Sequence, residues 1–291
     1  MSEITNQQGN DMPLDMTNTL VPQFLDFDVE FEPTKFKDKK YVINAATGEY
    51  LGIVGSGFKC ASHKDFFENV VDTALNELGE YELQDASYHF STARNNAWAM
   101  LDITLPNVKT TVHTDRFESE VKNRIISLHG IDGSCSNQAF FGAIDAFCTN
   151  GMISGEYDKI RRKNTANFSL DSFIDELNQS RNSFYDFGTT LQKWADTKIA
   201  TLDVEAFLEK LIPSERKAKR MHELYQIEAH KRGQNKWALY SAFTNYASYA
   251  DDRNGFNLKN TGKDTQAINM FGREQEVSKW VNDNQFQLLA A

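Results

Sequence analysis

An α+β fold, with an antiparallel sheet packed against helices and a helical C-terminal half, is what this sequence predicts. Three observations carry that expectation. Short β-type runs crowd the chain up to about Met152, helical periodicity takes over after Ser169, and the two kinds of segment do not alternate as a parallel α/β sheet requires.

The elements follow in order. Residues 1–34 read as a mobile acidic arm. Glu3, Asp11, Asp15, Asp26, Asp28, Glu30 and Glu32 lie in the first 32 residues without a Lys or Arg, and residues 1–23 show no apolar pattern. Residues 35–168 read as the sheet domain. Lys40–Asn44 and Tyr50–Val54 are β-type runs joined by a turn at Ala46-Thr47-Gly48. Ser62 to Asp65 has the form of a capping box. Phe66, Phe67, Val70, Val71, Ala74, Leu75 and Leu78 then share one helical face, and Gly79 stops the helix. Tyr88–Ser91 alternates, Arg94-Asn95-Asn96 turns the chain, and Ala97–Leu105 is a strong β run that Pro106 is expected to stop. Val108–Val112 and Arg124–Leu128 are further strands, Asp132-Gly133 is a sharp turn, and Asn150-Gly151 is a second. Ala139–Cys148 is largely apolar and fits strand or helix; strand is the reading adopted.

Residues 169–291 read as a helical region packed on the sheet. Leu170, Leu177, Phe184 and Leu191 recur every seven residues in a helix of roughly 25 residues. Asp203 caps a helix to Leu211, Ser214–Arg232 is a charged helix with Gly233 as its stop, Lys236–Tyr249 is an aromatic-rich helix, and Thr265–Asn282 is the last.

Composition excludes several classes. No apolar run approaches the ~18 residues of a membrane span, so no membrane partner is expected. The N-terminus lacks the basic start and apolar stretch of a secretory signal, which points to the cytoplasm. Cys60, Cys135 and Cys148 form no CxxC pair and read as buried structural thiols in a reducing compartment. The net charge of −10 repels nucleic acid on average. Two basic stretches, Lys159–Lys163 and Arg216–Arg220, break that average.

Candidate chemistry is sparse. Gly52–Gly57 is glycine-rich but lacks the Lys-Ser/Thr of a P-loop, so it reads as a hairpin exit. His113, Asp115, His129 and Asp132 could be imagined as metal or acid–base groups. Their spacing matches no ligand motif, and they are expected not to converge. No nucleophile elbow is present, no catalytic residue is assigned, and no metal or cofactor is expected. Lys159, Arg161, Arg162 and Lys163, with Tyr157 beside them, are the candidate nucleic-acid-binding residues: cations neutralise phosphates, and an aromatic ring stacks on an unpaired base. The acidic arm is expected to compete for the same groove. Arg216–Arg220 reads instead as a helix surface laced by Glu–Lys pairs. Trp237, Tyr240, Phe243, Tyr246 and Tyr249 recur every three residues and read as a core stripe.

Four segments together carry a family resemblance. They are YVINAATGEYLGIVGSGFKCASHKDFFEN at Tyr41–Asn69, LHGIDGSCSNQAFFGAIDAFCTNGM at Leu128–Met152, Arg161–Thr165, and KWALYSAFTNYASY at Lys236–Tyr249. In this order they resemble the phage/plasmid-like family of unknown function, catalogued as domain of unknown function nine-three-two, over most of residues 35–285. Ile131 and Asn164 stand where the family pattern has histidine. The resemblance implies a phage, plasmid or integrated-element origin and no particular reaction. The two missing histidines weigh against an enzymatic reading.

The functional expectation is a nucleic-acid-associated protein that binds or anneals single-stranded DNA in recombination or replication, without catalysis. Phage annealing proteins share a twisted antiparallel sheet backed by a helix, an analogy of fold alone. A homo-oligomer and a host protein are the other partners the reading admits. The alternative function is a non-enzymatic host-interaction protein that blunts a host defence, which the acidic charge favours. A hydrolase or nuclease with a dispersed site, its candidates His113, Asp115, His129 and Asp132, is the third.

Overall fold

The computed structural model describes residues 22–116, 118–135, 137–145, 150–153, 161–162, 184, 186–250 and 266–289. The fold is α+β, with two antiparallel sheets and a helical C-terminal half. The smaller sheet joins β1 (Val29–Pro33), β2 (Lys39–Asn44) and β3 (Tyr50–Gly55) in that order. The first of these strands corrects the expected arm. Val29–Pro33 pairs in register with Lys40–Asn44 despite its two glutamates, because a strand with one solvent face tolerates charge there.

Helix α1 (His63–Glu77) follows, then the single turn of α2 (Glu80–Leu83). Ser62 Oγ accepts from Asp65 N, as expected of the cap. Leu78 is the C-cap, and Gly79 serves as the N-cap of α2.

The larger sheet is a meander of β4 (Ser87–Ala93), β5 (Trp98–His113), β6 (Glu118–Gly130), β7 (Asn137–Asp145) and β8 (Asn150–Ile153). A short β9 (Arg161–Arg162) pairs with Asn137–Gln138 of β7. Pro106 does not end its strand. The pairing of β5 with β6 shifts between Leu105 and Lys109, and this irregularity accommodates a residue without an N–H while the strand continues to His113. Asn150-Gly151 is likewise paired, with Asp145 and Ile144, rather than a turn.

Both faces of this sheet are covered, so β5 is buried from Trp98 to Leu105 instead of alternating. Ala99, Leu101, Ile103 and Ile125 join one cluster with Phe66, Phe67 and Val70 of α1. On the other face Trp98, Met100, Ile126 and Leu128 meet Phe271. The helical region contains α3 (186–196), α4 (Val204–Leu211), α5 (Glu215–Arg232), α6 (Lys236–Tyr249), α7 (Gln266–Asn282) and α8 (Asn284–Gln287). The N-terminal part of the expected long helix before α3 lies outside the described residues. Trp237, Tyr240, Phe243, Tyr246 and Tyr249 are all buried, so the aromatic stripe is core.

Two charge networks bind the sheet to the helices. Arg124 of β6 is fully buried. It bonds Asp102 of β5 through Nε at 2.6 Å and Glu274 of α7 through Nη1 at 2.9 Å. Arg232 of α5 reaches Asp145 of β7 at 2.8 Å and Glu228 at 2.9 Å. Each guanidinium meets two carboxylates, which offsets the cost of taking its charge out of water.

Candidate nucleic-acid interface

The small sheet is set by its turns. In the β1–β2 turn, Thr34 Oγ1 accepts from Phe36 N at 3.0 Å and donates to Phe36 O at 2.9 Å. In the β2–β3 turn, Asn44 Oδ1 accepts from Ala46 N at 2.9 Å, and Gly48 has φ +71°, a conformation glycine adopts without strain. The inner face lies against the loop after β6. A Cβ at Gly52 would stand 2.9 Å from the Asp132 carbonyl oxygen, and one at Gly133 (φ +74°) would stand 2.8 Å from Val54 Cγ1. Glycine at both places permits the close approach. Gly52–Gly57 is thus a strand and its exit, and α1 begins only at His63.

The β1–β2 turn carries an alternation of cations and rings. Lys35, Phe36, Lys37 and Lys39 are exposed, as is Lys59 just beyond β3. Lys40 has a structural role: its Nζ donates to Phe58 O at 2.7 Å and stands 3.8 Å over the Phe31 ring. Lys35 Nζ lies 5.1 Å over Phe36. Among the described residues, Lys35, Lys37, Lys39 and Lys59 form no ion pair. Phe36 is 55% exposed. Exposed rings between unpaired cations are the composition of a single-strand binding surface. The run FKDKK is legible in the sequence, but nothing local distinguishes it there from other short basic stretches.

Of the residues singled out there, Tyr157, Lys159 and Lys163 lie outside the described residues. Arg161 and Arg162 form β9, beside the start of β7. That start follows directly on the 131–135 loop, against which the small sheet packs. The β9 backbone and the lysine-bearing sheet therefore belong to the same end of the large sheet.

The four histidine and aspartate candidates split into two pairs. His113 and Asp115 sit at the β5–β6 hairpin, with Glu118 at 3.1 Å and Lys198 at 2.5 Å respectively. His129 and Asp132 are at the other end of β6, roughly 40 Å away along a 13-residue strand. No group of three His, Cys, Asp or Glu able to hold a metal occurs among the described residues.

Sequence reasoning missed the partner of His129. His63, the first residue of α1, places Nδ1 2.8 Å from His129 Nδ1, while its Nε2 is 2.8 Å from the Asn96 carbonyl. The partners set the protons. His63 Nε2 donates to the carbonyl, His63 Nδ1 accepts, and His129 Nδ1 donates. The lone pair left on His129 Nε2 is buried and has no hydrogen-bond partner. Burial pushes the His63 imidazole down to about 4, and burial followed by His63 holds His129 well below the usual range. The adjacent β4–β5 turn is strained, with positive φ at Arg94, Asn95 and Asn96. Each of its residues is tied down: Arg94 to Asp132 at 3.3 Å, Asn95 to Glu49 at 2.7 Å, and Asn96 to His63. This junction joins the small sheet, the large sheet and α1. The thiols offer no reactive group nearby. Cys60 and Cys135 are half-buried, and burial raises them to about 11 and about 12; Cys148 lies outside the described residues.

Fold and surface together define a two-sheet α+β protein with a basic–aromatic hairpin at one end and closed charge networks in its core. Residues 50–276 match the family described as Domain of unknown function (DUF932), and the chain belongs to that family. No curated protein and no solved structure matches it. No helix among the described residues is long and apolar enough to cross a membrane.

Proposed function

We propose that this chain binds single-stranded DNA, without catalysis or a cofactor, as an accessory of recombination or replication in a phage or related mobile element. One observation carries the reading. A chain of net charge −10 holds four exposed lysines, Lys35, Lys37, Lys39 and Lys59, that form no ion pair among the described residues; they lie on and beside one turn, with the exposed Phe36 among them. Cations without a carboxylate partner are available to phosphates. The backbone of Arg161 and Arg162 pairs with the start of β7 at the same end of the fold. The lysines neutralise the backbone, the rings hold bases, and pairing edges stay open to a complementary strand.

The test is a titration of fluorescent oligonucleotide at several salt concentrations. Each phosphate neutralised on a single strand contributes about 0.7 to the log–log salt slope. Replacing Lys35, Lys37, Lys39 and Lys59 with alanine is expected to flatten that slope by up to about 3. Replacing Arg161, Arg162 and Lys163 is expected to flatten it by up to about 2. Removing residues 1–21 is expected to tighten binding, since Asp11 and Asp15 leave with them. If the wild-type protein binds no oligonucleotide at low salt, the reading fails and a protein-binding role in host interaction replaces it.

A further inference from the structure

The outer face of the small sheet carries two tyrosines, with Tyr50 and Ile53 exposed, Tyr41 partly exposed and Ile43 buried. Opposed residues of an antiparallel ladder project to the same face, and the register runs Glu32, Tyr41, Ile53 in one row and Glu30, Ile43, Tyr50 in the next. Tyr50 is 62% exposed and Ile53 is 57% exposed. Tyr41 and Tyr50 meet edge to face, with centroids 5.3 Å apart and planes at 72°. That edge-to-face geometry is electrostatically favourable, and Tyr50 keeps most of its surface exposed. Lys39 projects on this same face, one row nearer the lysine-rich turn. Nothing among the described residues stacks on the open side of Tyr50; its one ring partner is Tyr41.

We propose that this face is a base-stacking platform for a single strand of nucleic acid, with Tyr50 and Tyr41 holding successive unpaired bases and Ile53 completing the apolar floor. The inference rests on the single-strand reading above and adds to it the surface that tells a single strand from a duplex. Charge sets the path of the strand. Glu30 and Glu32 occupy the β1 edge of the face, so the phosphates run along the β2–β3 side, past Lys39 to the turn at residues 34–38. A duplex, whose bases already stack on one another, offers its phosphates to the lysines but no open base to the tyrosines.

The experiment compares an oligothymidylate single strand with a duplex of equal length, on wild type, Tyr50→Ala, Tyr50→Phe, Tyr41→Ala and the four-lysine variant. Tyr50→Ala is expected to weaken single-strand binding by about 10-fold, the effect of one lost stacking contact. Its duplex binding and its salt slope are expected to stay at wild-type values. Tyr50→Phe keeps the ring and is expected to bind like wild type. Tyr50 is largely exposed, so its replacement leaves the fold intact, which a thermal melt checks. The four-lysine variant is expected to lose both ligands. The platform is overturned if both alanine variants bind the single strand like wild type while the lysine variant does not, or if Tyr50→Ala weakens both ligands equally. Absence of wild-type binding to either ligand removes the underlying reading as well.

Discussion

Replacing Arg124 with methionine tests whether the buried ion network holds the helical half to the sheet. The methionine fills most of the space of the side chain and removes its charge. Asp102 and Glu274 are then left as carboxylates in sites that are 1% and 4% exposed, and Asp102 Oδ1 lacks a hydrogen-bond partner even with the arginine present. Removing one partner from a buried pair costs about 3–5 kcal/mol, because the other charge stays desolvated. For a chain of this size that corresponds to a fall in melting temperature of about 5–8 °C. The pH dependence has a definite sign. Burial raises the Glu274 pKa, and Arg124 opposes the rise. Without the arginine Glu274 rises further, so it protonates sooner as pH falls. The deficit relative to wild type is therefore largest at neutral pH and shrinks as the solution is acidified. The triple variant Asp102→Asn, Arg124→Met, Glu274→Gln removes every charge and is expected to recover much of the loss. Differential scanning calorimetry of the three proteins between pH 5 and pH 8 checks this. A single variant that melts within about 2 °C of wild type, or a triple variant no better than the single, would refute the reasoning.

Two further expectations concern the junction at the end of the large sheet. His63 has a folded pKa of about 4 against an ordinary 6.5, so the unfolded chain binds more protons between those values. Its contribution is present above pH 6.5 and declines by roughly 3 kcal/mol as pH falls to 4; the acid limb of stability against pH should flatten in His63→Phe. A rise in stability of wild type relative to that variant on acidification would contradict the assignment. Gly52→Ala drives a methyl group into the Asp132 carbonyl, which belongs to backbone and yields poorly, and should cost about 1–3 kcal/mol in urea unfolding. Ser56→Ala is the control: at this exposed exit from β3 it should be nearly neutral.

Much of the fold is legible along the chain because its causes are local. Ser62, Asp203, Ser214 and Asn235 each accept a hydrogen bond from the first turn of the helix that follows, as short polar side chains at those positions do. The period of three in Trp237–Tyr249 marks a helix whose rings are all buried, and the same periodicity disposes of them as a nucleic-acid surface. Asp132-Gly133 makes its turn because glycine alone takes φ +74° there without strain.

The misreadings have the opposite character. Val29–Pro33 reads as part of an acidic arm until Tyr41, Val42 and Ile43 are set beside it, since a strand's partner lies elsewhere in the chain. Pro106 reads as a stop until the shift in register opposite β6 shows how a strand passes it. Nothing along the chain marks Asp102, Arg124, Glu228, Arg232 and Glu274 as buried, because nothing says that Arg124 will meet a carboxylate 150 residues away. The lysines of the β1–β2 turn are equally visible in the sequence as those at 159–163. The structure adds, for the turn lysines, a place beside the exposed Tyr50 and Ile53. The sequence alone determined the helices, their caps and the α+β class, because those depend on neighbours within a few residues. Only tertiary structure decided which charges are buried, which histidines meet and which cations face water, because these depend on pairings between distant segments that hydrophobic burial brings together.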